Sequence, residues 1–74
     1  MKSNIMLYTI TFPINVNGEE MPLEVVEYYH NDNEAIVMGN IIAQLINRPR
    51  YIVTNESTDF QQSYDTIWNK QSAE

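Results

Sequence analysis

His30 is the chain's one imidazole, and Asp32 and Glu34 follow it at alternate positions. An extended backbone would turn that ring and both carboxylates to one side. The trio is the nearest approach to a metal site in the sequence, yet a structural site needs more ligands at recognisable spacing. Both acids also suit the start of a helix, where they meet the positive end of its dipole, so no metal ligand is assigned. Nucleophilic catalysis fares no better. There is no cysteine, a hydroxyl nucleophile would have only His30 as its base, and none of Ser3, Ser57, Ser63 or Ser72 lies in a nucleophile-elbow context. Glu24 and Glu27 project to opposite faces of a regular strand, which does not suit a paired general acid and base. Gly18 and Gly39 are too far apart to build a phosphate-binding loop. The expectation is a protein that is not an enzyme, with no catalytic residues and no cofactor.

Charge carries more information than reactive groups. The 74 residues hold 10 Asp and Glu against 4 Lys and Arg, a formal net charge of −6. Between Ser3 and Asn47 there is no Lys or Arg, while Glu19, Glu20, Glu24, Glu27, Asp32 and Glu34 all fall there. Arg48, Arg50 and Lys70 come later, beside Glu56, Asp59 and Asp65. Direct nucleic-acid binding is disfavoured, since phosphate contacts need a basic footprint. With 43% hydrophobic residues and only 2 Gly and 3 Pro, the chain should fold, as one domain over residues 1–74. No apolar run approaches a membrane span, and the interrupted stretch from Ile5 to Phe12 is read as a strand, not a signal peptide. The expected location is cytoplasmic. The abundance of Asn and Ile fits an AT-rich genome.

The elements that would position these charges follow from periodicity. Met6, Tyr8, Ile10, Phe12 and Ile14 alternate with Thr9, Thr11 and Pro13, the period of a strand. Asn17-Gly18 then suits the centre of a type I′ hairpin turn. That turn would set Val16 against Glu19, Ile14 against Met21, Phe12 against Leu23, Ile10 against Val25 and Tyr8 against Glu27. Glu27 then sits on an otherwise apolar face, at the core's edge or at a bulge. The other face pairs Pro13 with Pro22, Thr11 with Glu24, Thr9 with Val26 and Leu7 with Tyr28.

Asn31 and Glu34 have capping-box spacing, which predicts a helix from there to about Asn47, stopped by Pro49. Met38, Ile41, Ile42 and Leu45 form one apolar stripe on it, and Ala35, Gly39 and Ala43 an adjacent small-residue row. So broad an apolar surface predicts burial on more than one side. The small row is read as tight packing within the domain, with a self-association groove as its alternative. Arg50–Thr54 reads as a third strand. Thr58 and Gln61 again have capping-box spacing, and Phe60, Tyr64, Ile67 and Trp68 repeat at helical intervals, predicting a second helix. The fold expected is α+β, ββαβα, with a three-stranded, mainly antiparallel sheet of order 2-1-3 packed by two helices.

Two functions follow as expectations. The first is a small acidic, non-enzymatic protein-binding module, an inhibitor or adaptor, in which Glu19, Glu20, Glu24, Asp32 and Glu34 engage a basic surface of a partner protein. A nucleic-acid-binding partner would make it a DNA mimic, and in size and charge alone the chain resembles small acidic bacteriophage proteins of that kind. The alternative is a self-assembling structural or accessory subunit, a homodimer included, joined through Leu7, Val26, Tyr28 and Gly39, whose acids serve only solubility.

Overall fold

A computed structural model describes residues 4–68. The elements in order are β1 (Met6–Phe12), β2 (Asn15–Val16), β3 (Glu19–Glu20), β4 (Leu23–Tyr29), α1 (Asp32–Leu45), β5 (Arg50–Asn55) and β6 (Gln61–Asp65). The main sheet is antiparallel, of order β4-β1-β5-β6, and β2 and β3 form a separate two-stranded ribbon. The class is α+β, with one helix and a four-stranded antiparallel sheet.

The Asn17-Gly18 turn explains the register. Both residues have positive φ, 52° and 83°, as a type I′ turn requires, and its twist suits the strands it joins. Val16 therefore faces Glu19, Phe12 faces Leu23, Ile10 faces Val25 and Tyr8 faces Glu27, without a bulge. Pro13 and Pro22 interrupt the expected single long hairpin, because proline offers no N–H to a ladder. Pairing resumes beyond them with Met21 N–H donating to the Ile14 carbonyl at 2.7 Å. The core ends there too: Tyr8, Ile10 and Phe12 are fully buried, while Met21 and Leu23 are exposed.

The helix starts and stops by side-chain and backbone devices within one turn of each end. Asn31 Oδ1 accepts from Glu34 N–H at 2.8 Å, and Glu34 Oε1 accepts from His30 N–H at 2.6 Å. At the other end Asn47 adopts φ 61°, Arg48 N–H reaches the Ala43 carbonyl at 2.8 Å and Asn47 N–H the Gln44 carbonyl at 3.2 Å. That pair of bonds is a Schellman motif, closed one residue before the proline bars any further helix.

Helix α1 lies on one face of the sheet and buries Ala35, Gly39 and Ala43. They meet Tyr8, Ile10 and Phe12 of β1 and Tyr51 and Val53 of β5. A Cβ on Gly39 would lie 2.7 Å from two ring carbons of Tyr51 and 3.3 Å from Ile10 Cγ2. The small-residue row thus brings helix and sheet close together within the domain, and Gly39 is not presented at any surface.

The expected second helix is absent. Its residues form β6, which pairs with β5 so that Tyr51 faces Tyr64 and Arg50 faces Asp65. The sequence signal was ambiguous for a physical reason: residues four apart share a side in a strand as well as in a helix. Phe60 and Tyr64 pack against the core from the inner side. Thr58, expected to cap a helix, instead accepts from Phe60 N–H at 3.1 Å within the β5–β6 turn. The Cα extents, 45 × 38 × 15 Å, describe a slab one sheet and one helix thick.

Candidate functional site

The strongest polar cluster lies where β1, β5 and the first turn of α1 meet. Tyr8 Oη donates to Asp32 Oδ1 at 2.5 Å, and Asn55 Nδ2 donates to Tyr8 Oη and to Asp32 Oδ1, each at 3.1 Å. Asn55 Oδ1 accepts from Ser57 N–H at 2.8 Å. Burial and then the Asp32 carboxylate push the Tyr8 phenol up to about 12. The phenol therefore stays neutral and serves as a donor. Asn55, which the sequence marks only as a boundary residue, is buried and is the centre of this network. Each partner is satisfied by another, which gives the cluster a structural role, tying the helix start to two strands.

Glu34 is likewise engaged. Its carboxyl is held below the usual carboxylate range chiefly by the backbone N–H of His30, with His30 Nδ1 at 3.1 Å. Among the described residues no three His, Asp or Glu side chains gather as a metal-binding set. The His30, Asp32 and Glu34 trio is divided instead: Asp32 turns inward to Tyr8 and Asn55, while Glu34 closes on His30.

The five acids expected to act together fall into two groups. Glu19 and Glu20 lie on β3 and Glu24 near the start of β4, whereas Asp32 and Glu34 lie beyond its far end. The seven residues of β4 separate the groups by about 20 Å at a strand rise of ~3.3 Å per residue. Only the first group leaves its carboxylates free of the fold's own bonding in this way. Among the described residues the one ion pair is His30–Glu34; Lys70 lies outside the described residues.

The first group borders the face of the sheet opposite α1. Alternation places Leu7, Thr9 and Thr11 of β1, Glu24, Val26 and Tyr28 of β4, and Ile52 and Thr54 of β5 on that side. Among the described residues no element covers it. Val26 is 54% and Tyr28 60% exposed, and Leu7, opposite Tyr28, is half-buried. Thr9 Oγ1 donates to Glu56 Oε2 at 2.7 Å across the same surface. At the end nearest the ribbon a cavity of about 310 Å³ opens between Thr11, Pro13, Pro22 and Ile52, with Glu20 in its wall. Arg50, on this face two residues before Ile52, stands opposite Asp65. Within the strands the Arg50–Asp65 position is thus balanced in charge, and the β4 side is acidic.

β4 is also an edge strand, paired on one side only. Glu27 explains itself here: it faces Tyr8 in register but lies exposed at the rim, where a carboxylate guards an open edge against further strand pairing. No helix among the described residues is long and apolar enough to cross a membrane. Comparison with protein-family models, curated proteins and solved structures finds no match to this chain.

Proposed function

We propose that this chain acts by contact rather than by catalysis, as a protein-binding module. Its uncovered sheet face and β2–β3 ribbon seat against a basic surface of a partner protein, with Glu19, Glu20 and Glu24 as the charged border. The observation that carries the reading is the uncovered face itself: Val26 and Tyr28 stand exposed on the strand that also presents Glu24. An apolar centre beside an unneutralised acidic margin is the anatomy of a contact surface that gains affinity from burial and orientation from charge. Asp32 and Glu34 leave the contact set because their carboxylates already hold the helix start.

The test is charge reversal on the border. Immobilised natural chain should retain basic proteins from its source cell at about 0.1 M salt and release most of them at about 0.5 M, because exposed charge pairs are screened. The Glu20→Lys/Glu24→Lys double variant should retain them weakly and with a flatter salt dependence. Identical retention and identical salt dependence for the two chains would refute the proposal.

A further inference from the structure

The sheet covers one side of α1, and among the described residues no other element covers its opposite side. Val37, Ile41 and Leu45, one turn apart, form a stripe opposite the buried Ala35–Gly39–Ala43 row, and all three are exposed, Leu45 to 78%. The stripe is extended sideways by the segment after β6. Asn40 Oδ1 accepts from Ile67 N–H at 2.7 Å, Asn40 Nδ2 donates to the Ile67 carbonyl at 3.1 Å, and Gln44 Nε2 donates to the same oxygen at 2.5 Å. Thr66 Oγ1 donates to the Arg48 carbonyl at 2.7 Å. These bonds hold Ile67, 73% exposed, beside the helix, and Trp68 follows it, 43% exposed. A helix that is apolar on two opposite sides needs cover on both, and this fold supplies it on one.

We infer that this surface, Val37, Ile41, Leu45, Ile67 and Trp68, is where a second copy of the chain docks, helix against helix. Two observations select that occupant. From Ala35 to Asn47 the helix and its cap carry no charged residue, so this is a face on which two chains of net charge −6 can meet without setting carboxylate against carboxylate. A two-fold axis near Ile41 would run the helices antiparallel, oppose their dipoles, and set the acidic first turn of each beside the end that carries Arg48 in the other. The sheet face used in the proposed function stays free on the outside of such a dimer.

Sedimentation equilibrium and Trp68 emission, on the natural chain from about 5 to about 500 μM, test the inference. The expected result is a dimer that forms with rising concentration, with a blue shift of emission as the single tryptophan is covered. Ile41→Glu should weaken dimerisation more than about tenfold, and Leu45→Gln, at a position too exposed to disturb the core, should weaken it with the circular dichroism unchanged. Val26→Glu, on the opposite sheet face, should leave the dimer intact. A chain that stays monomeric throughout the range would overturn the inference. So would a dimer that persists in Ile41→Glu and Leu45→Gln but is lost in Val26→Glu. Neither result touches the charge-reversal test above, which reads a different surface.

Discussion

The two faces of β1 put residues of one strand into opposite circumstances. Tyr8, Ile10 and Phe12 point under the helix and have no exposed surface, whereas Leu7, Thr9 and Thr11 point the other way and are all partly exposed. The inner side is crowded to the limit at Gly39, and its one polar cluster is internally satisfied. The outer side holds Val26 and Tyr28 that the fold leaves uncovered, and an acidic border that pairs with no described Lys or Arg. A domain this small has few core residues, so each inner side chain carries a large share of its stability. The outer ones are free to differ, and a surface under no demand from folding is available for recognition.

That contrast can be broken or sharpened by substitution. The largest effect is expected at Ile10→Ala, where removing a fully buried side chain should cost about 2–5 kcal/mol, enough to leave the chain largely unfolded in a urea titration. A loss below about 0.5 kcal/mol would show that the inner face is not the core. Gly39→Ala comes next. Helix propensity favours alanine by about 1 kcal/mol, but the new methyl meets the Tyr51 ring. That ring is stacked on Tyr64 with centroids 5.6 Å apart and its hydroxyl donates to the Ile36 carbonyl at 3.1 Å. A net destabilisation of about 1–3 kcal/mol is expected from thermal melts, and a stabilised variant would show that helix and sheet pack more loosely than described.

Asn55→Ala should cost about 1–3 kcal/mol by removing one of the two bonds to Asp32 and leaving the Ser57 N–H without its partner. Tyr8 adds a dependence on pH. Its phenol is raised in the folded chain, so the stability it contributes is complete below the ordinary tyrosine value of 10.0 and is lost as pH rises from there to about 12. Denaturant melts across that window should show this loss, and Tyr8→Phe should lessen it, the Tyr29, Tyr51 and Tyr64 phenols being raised by burial as well, while lowering stability at neutral pH. The smallest effect belongs to the outer face: Val26→Thr should alter stability by no more than about 0.5 kcal/mol. A large loss there would mean that the outer surface contributes to folding and is not reserved for contact.

Much of the hairpin was legible because its determinants are local. Asn17 and Gly18 select the turn, the turn selects the register, and period two assigns the faces, so every expected partner of residues 7–12 is found. The helix start was equally plain in Asn31 and Glu34. Residues 58–68 misled because Phe60 and Tyr64 satisfy both periods, and nothing in their spacing records that the edge of β5 was waiting for a strand. Asn55 carried no local signal, since its value lies in Tyr8 and Asp32, distant in sequence. The acids were visible as a run but not as two groups, because the length of β4 separates them only after it is laid out in a sheet.

Local chemistry, then, determined the turn, the register, the helix caps and the absence of Lys and Arg from residues 3–47. Which apolar surface is covered was decided by tertiary structure alone. Alternation tells that a strand has two faces and periodicity that a helix has an apolar side. Only the number of layers decides which of them meets protein and which meets water, and here one helix on one sheet leaves an apolar surface exposed on each.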